Sequence, residues 1–133
     1  MNGKGSLDSV RQLGAFLEAW NRHDLDAIMA FMVEDCVYEA SAGPDPWGKR
    51  FEGQAAVREA FAGVWATFPD ARWTNAEHHA FGERGLSEWT FYGSRADGTR
   101  IEVRGCDLYT FCGGKIALKS TFLKSRPPLP ANR

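Results

Sequence analysis

Between Ala71 and Lys124 apolar and polar residues tend to alternate. Three short breaks, "GERG", "ADG" and "CGG", cut this run into four pieces. An alternation of period two places successive side chains on opposite faces of an extended chain. Short glycine-bearing links between such pieces close antiparallel hairpins. Strands are therefore expected at about 71–81, 86–95, 100–111 and 115–124. A meander with one apolar face needs a cover, and the first half of the chain has to provide it.

The cover is legible as helices. Val10, Leu13, Leu17 and Trp20 recur at helical spacing from about Ser6 onward, with Phe16 widening the stripe. Residues 1–5 are expected to be loose. "NRHD" closes the helix, with His23 suited to the negative end of its dipole. Asp24 is placed to cap a second, shorter helix carrying Leu25, Ile28, Met29 and Met32. "CVYEA" (36–40) reads as a short strand. The two prolines and three glycines of "SAGPDPWGKRFEG" (41–53) exclude regular structure. A third helix carries Val57, Phe61, Val64 and Phe68 and stops at Pro69. Residues 126–133, "RPPLPANR", read as an irregular tail. The 133 residues fit a single α+β domain, with three helices on one face of a curved antiparallel sheet.

Charge narrows the partners. A formal net charge of −1 leaves no basic surplus for phosphates, which argues against nucleic acid. No apolar run reaches the length of a membrane span, and the N-terminus is too polar for a secretory leader. Cys36, Cys106 and Cys112 are an odd count without paired spacing, so they are expected to be reduced thiols in a cytoplasm. No phosphate loop, nucleophile elbow or zinc-type spacing of His and Cys is present, so no cofactor or metal is expected. The 17 aromatic residues (9 Phe, 5 Trp, 3 Tyr) suit both a core and a pocket for a small apolar molecule.

Alternation sorts the charges by face. On the 100–111 strand Ile101, Val103, Gly105, Asp107, Tyr109 and Phe111 form the more apolar set, which is assigned to the concave side. Asp107 is then inside, while Glu102 and Arg104 are outside. A lone buried carboxylate needs a partner or a task. On the last strand Ile116, Leu118, Ser120, Phe122 and Lys124 look concave, and Ala117, Lys119, Thr121 and Leu123 convex. His78 and His79 lie on opposite faces, and alternation does not choose between them. Trp89 faces the pocket with Glu88 outside, or the reverse. Glu39 on the first strand reads more readily as an edge residue facing water than as an acid. Trp47 sits on a loop that could cap a pocket.

"FLEAWNRHDLDAIMAFMVEDCVYEA", "FEGQAAVREAF" and "YTFCGGKIALKSTF" resemble the SnoaL-like polyketide cyclase branch of the nuclear transport factor 2-like superfamily. The resemblance rests on "W-N-x-H-D-x-D-A", "E-D-C-V", "G-x-x-A-V-R" and "T-F-x-x-G-K-I" in that order, across about residues 10–124. It implies a cone with an open-ended internal pocket, and homodimers through the sheet. Relatives with a His followed by an aromatic-rich stretch favour His78 over His79. In SnoaL-like cyclases an Asp at the end of the last strand acts as general acid/base. Lys124 stands at that position, which departs from the cyclase pattern.

The leading expectation is cofactor-free acid/base chemistry on a compact apolar carbonyl or hydroxyl compound. Asp107, His78 and Lys124 are the catalytic candidates, and Tyr109, Trp20, Tyr38, Trp47, Trp89 and Phe122 the ligand-binding ones. The alternative is a non-catalytic ligand-binding or dimerisation module of the same fold, with Asp107–Lys124 as a structural ion pair.

Overall fold

The computed structural model describes residues 3–131. In chain order the elements are α1 (Gly3–Asn21), α2 (Leu25–Ala30), β1 (Met32–Glu39), β2 (Arg50–Glu52), α3 (Gln54–Thr67), β3 (Arg72–Phe81), β4 (Arg84–Ser94), β5 (Arg100–Cys112) and β6 (Lys115–Leu123). One six-stranded sheet has the order β2-β1-β6-β5-β4-β3. The last four strands form the antiparallel meander that the alternation predicts. β1, however, pairs with β6 in parallel, so the sheet is mixed rather than wholly antiparallel. The reason is connectivity: β1 enters from the helical cover and meets the end of the meander, with no hairpin between them.

Other boundaries differ locally. Gly3 to Gly5 belong to α1 rather than to a loose arm, and residues 1 and 2 lie outside the described residues. Met32 starts β1 instead of ending α2. Within 41–53, Arg50–Glu52 form β2 against Val37–Glu39, where the chain leaves its proline-bearing part. The tail is also anchored: Arg100 and Leu129 exchange two backbone hydrogen bonds of 3.0 and 2.8 Å. Residues 132 and 133 lie outside the described residues.

The core fills the space between helices and sheet. Leu13, Phe16, Ile28, Val57, Phe61, Trp89, Tyr109 and Ile116 are almost fully buried, each large apolar side chain contributing about 1.5–3 kcal/mol. The "WNRHD" junction pins this cover to β3. The Asn21 amide accepts from the Trp73 N–H (2.8 Å) and donates to the Trp73 carbonyl (3.0 Å). His23 does not serve the helix dipole as expected. It takes a left-handed φ of 56°, stacks on Trp65, and donates from Nε2 to the Ala71 carbonyl at 2.7 Å. Asp24 caps α2 as expected, accepting from the Ala27 N–H at 3.1 Å.

Two β-bulges decide which residues look inward. On β6, Ile116 faces Phe111 and Leu118 faces Thr110, so Ala117 is an extra residue. On β3, Thr74 faces Thr90 and Glu77 faces Glu88, which inserts one residue beside Asn75 at φ 54°. A bulge shifts the alternation by one, so each strand changes face partway along its length. Among the described residues no helix is long and apolar enough to cross a membrane.

Candidate functional site

The β6 bulge overturns the expected face of the last strand. Ile116 points inward, but beyond Ala117 it is Lys119, Thr121 and Leu123 that do so, opposite Tyr109, Asp107 and Gly105. Lys119 is buried. Lys124 and Phe122 point out instead: Lys124 is exposed, Phe122 is 52% exposed, and both line a groove on the outer sheet face. Asp107 therefore pairs with Lys119 and not with Lys124. Strict alternation hid Lys119, because no residue type in "GKIALKS" marks the bulge.

Asp107 is surrounded by donors. Its Oδ1 lies 3.1 Å from Lys119 Nζ and accepts from Thr121 Oγ1 at 2.5 Å. Its Oδ2 accepts from Trp89 Nε1 at 3.1 Å and from the Tyr109 hydroxyl at 3.2 Å. Both oxygens are thus satisfied, which is what a buried carboxylate requires. Burial, followed by the negative charge of Asp107, holds the Tyr109 phenol well above its ordinary pKa. Tyr109 is therefore a donor here.

Lys119 is held equally firmly. Its Nζ also lies 3.0 Å from Thr121 Oγ1. It sits over the rings of Trp20, Tyr38 and Phe61, at 4.9, 4.9 and 5.5 Å from their centroids. Ring faces carry negative potential, so this cage favours the ammonium.

A cavity of about 330 Å³ opens above this pair. Its walls include Trp20, Tyr38, Phe51, Trp73, Trp89 and Phe91, with Lys119 and Thr121 as polar members. Asp107 and Tyr109 lie behind the wall, 2% and 1% exposed. The ion pair thus presents its ammonium end to the cavity and its carboxylate end to the protein. Gly105 makes this wall possible: a Cβ there would fall 2.6 Å from Trp89 Cζ3 and 2.5 Å from the Phe122 carbonyl oxygen.

The remaining candidates fall elsewhere. The β3 bulge turns both Trp73 and His78 inward, although simple alternation separates them. His78 does not line the cavity; its Nδ1 is 2.7 Å from Ser87 Oγ, and its half-buried ring lies against Gly14 of α1. Burial, and then the neighbouring His79, lowers its pKa. His79 is exposed beside Glu88. Trp47 is 43% exposed; it stacks on Arg50 and does not line the cavity. Glu39 does not face water at an edge. It accepts from Arg50 Nη2 at 2.7 Å and from Ser120 at 3.0 Å, between β2 and β6. Among the described residues no three His, Cys, Asp or Glu side chains converge as a metal would need.

Helices packed on a curved mixed sheet, with an aromatic cavity between the layers, define a nuclear transport factor 2-like domain. The SnoaL-like domain matches residues 13–119, and the chain belongs to that family. A protein from Xanthomonas campestris pv. campestris, provisionally described as a polyketide cyclase, superposes with a TM-score of 0.81 at 21% identity, covering 90% of this chain and 93% of that one. A nuclear transport factor 2-like protein of unknown function from Mesorhizobium loti superposes at 0.74 with 28% identity, covering 90% and 93%. TerC, crystallised with polyporic acid, superposes at 0.74 with 18% identity, covering 88% and 92%. Among curated proteins none matches the chain.

Proposed function

We propose that the cavity binds a compact, largely apolar carbonyl or hydroxyl compound and performs cofactor-free proton transfer on it. The observation that carries this reading is the orientation of the Lys119–Asp107 pair, ammonium toward the cavity and carboxylate behind it. A bound carbonyl or phenolic oxygen meets the Nζ donor there. As enolate or phenolate charge develops on that oxygen, a fixed ammonium in a largely aromatic-walled cavity stabilises it. Asp107 keeps Nζ in place. Lys124, outside, takes no part. TerC, of the same fold, was crystallised with an acid, which fits an ammonium-led site.

The test is a thermal-shift screen of small ketones, phenols and quinones, followed by deuterium exchange at carbon for each binder. Lys119→Met removes the shift if the reading holds. Binders that stabilise wild type and Lys119→Met equally refute it.

One observation favours a second reading, a ligand-binding module without turnover. Both Asp107 oxygens are engaged, so no carboxylate lone pair is aimed at the cavity. Tight binding with no carbon-bound exchange selects this reading.

We also propose that a second copy of the chain covers the outer sheet face. Phe122 is exposed there, in a groove rimmed by Glu88, Arg104 and Lys124. Charges of both signs around an apolar centre are self-complementary in a two-fold interface. Sedimentation should give a dimer, and Phe122→Asp a monomer; a wild-type monomer excludes it. Three free thiols suit a reducing cytoplasm, to be checked by fractionation of the source cell.

A further inference from the structure

Four side-chain hydroxyls line the cavity, those of Tyr38, Ser41, Thr67 and Thr121. Three of them are already served. Thr121 Oγ1 accepts from Lys119 Nζ and donates to Asp107 Oδ1. Ser41 and Thr67 are exposed, so bulk water reaches them. Tyr38 is different. It is only 9% exposed, and among the described residues its hydroxyl meets no hydrogen-bond partner. Its oxygen is not sealed in protein either, unlike the unpaired Nε1 atoms of Trp20 and Trp65. A largely buried tyrosine ordinarily spends its hydroxyl on a partner. Here the open side of the residue is the cavity.

Strand register places this tyrosine beside the ammonium. Tyr38 on β1 pairs with Lys119 on β6 and with Phe51 on β2, so the three side chains share the concave face. The Tyr38 ring stacks on Phe51 with centroids 5.7 Å apart and meets Phe61 edge-to-face at 4.9 Å. Lys119 Nζ lies 4.9 Å from its centroid. A ring packed between two others and a cation is held in one orientation, and its hydroxyl with it. The two polar groups differ in kind. An ammonium only donates, whereas a phenol hydroxyl donates or accepts. The wall thus offers a ligand two fixed contacts, one for an acceptor and one for either.

We propose that Tyr38 sets the specificity of this cavity: its hydroxyl takes the second oxygen of a ligand whose first oxygen sits at Lys119 Nζ. This rests on the reading of the cavity as a ligand site headed by Lys119, and it holds with or without turnover. The walls are mostly aromatic, so the favoured class is a flat ring compound with two oxygens, hydroxyl or carbonyl, on one carbon frame. A compound with a single oxygen satisfies Lys119 and leaves the Tyr38 hydroxyl against apolar carbon. A hydrogen bond left unmade in that way is costly. Rejection by an unpaired polar group is also sharper than rejection by size in an apolar pocket. Tyr38 acts here as a binding residue, and Asp107 need not reach the ligand.

The probes are β-naphthol, with one oxygen, and naphthalenediols with the second hydroxyl on the adjacent carbon or on the far ring. Each is titrated calorimetrically into wild type, Tyr38→Phe and Lys119→Met. Tyr38→Phe removes one oxygen and keeps the stacked ring. At least one diol should bind wild type about 10-fold more tightly than β-naphthol, the scale of one neutral hydrogen bond. Tyr38→Phe should erase that preference and bind β-naphthol no more weakly than wild type does. Its melting temperature without ligand should match wild type, because no protein partner is lost. A lower one would make the hydroxyl structural and overturn the proposal. No diol preference in wild type, or a preference that survives in Tyr38→Phe, overturns it as well. The Lys119 reading outlives those results if β-naphthol binds wild type and not Lys119→Met. If none of the probes binds wild type, the ligand-site reading fails and the role of Tyr38 with it.

Discussion

Lys119 Nζ lies 3.1 Å from Asp107 Oδ1, and the two side chains are 8% and 3% exposed. The pair is buried among core residues such as Trp89, Tyr109 and Phe61. Taking both charges out of water is costly, and their attraction offsets that cost only with good geometry and further hydrogen bonds. Thr121, Trp89, Tyr109 and the three rings over Nζ supply those.

Breaking the pair from one side should therefore be expensive. Asp107→Asn leaves a buried ammonium with no counter-charge, and a loss of about 3–5 kcal/mol is expected. Lys119→Met should cost less, because Asp107 keeps three neutral donors and Met packs well among rings. The double variant should recover most of the Asp107→Asn loss. Urea unfolding of the four proteins gives the coupling directly, and additive losses would contradict a paired role.

Gly105 and Gly14 should respond to alanine with opposite signs. Gly105→Ala drives a Cβ to 2.5 Å from a backbone oxygen and 2.6 Å from Trp89. A loss of about 1–3 kcal/mol is expected from overpacking, together with a changed near-UV signal from the displaced indole.

Gly14, by contrast, sits inside α1, and its added Cβ would meet only the His78 ring at 3.8 Å, an ordinary contact. Gly14→Ala should raise stability by roughly 0.5–1 kcal/mol through helix propensity. A lower melting temperature would contradict an open contact between a Gly14 Cβ and the His78 ring.

His78 makes stability depend on pH with a definite sign. Its pKa in the fold is depressed below the ordinary 6.5, by burial first and then by His79. As pH falls below about 6.5 the unfolded chain takes up this proton before the folded one does, so stability falls. The groups around it are Ser87 on β4 and the exposed Arg11 and Glu18 a turn either side of Gly14 on α1, with His79 and Glu77 beside it on β3. No carboxylate of that set is buried against it. The melting temperature should drop between pH 7 and pH 5, and His78→Gln should flatten that part of the curve. An unchanged slope in His78→Gln would assign the effect elsewhere.

Much of the architecture is written locally. The stripe from Leu13 to Trp20, the Asp24 cap and the glycine-bearing breaks between strands depend on nearest neighbours, and each appears where the sequence places it. So does the concave set Val103, Asp107, Tyr109 and Phe111, because β4 and the stretch of β5 facing it pair without interruption. A carboxylate in an otherwise apolar alternation marks itself out as buried.

The partner of that carboxylate was decided elsewhere. Face assignment by alternation is cumulative, and one extra residue inverts everything beyond it. The bulge at Ala117 exchanges Lys119 for Lys124, and the one near Asn75 brings His78 to the same side as Trp73. The bulge at Ala117 has no local marker, and the only local sign of the other is Asn75, a residue type that takes left-handed φ more readily than most. The pattern of residues by itself determined three helices, a meander and a buried Asp107. Only the tertiary packing, which places the bulges, determined that Lys119 neutralises Asp107 and that the ammonium faces the cavity.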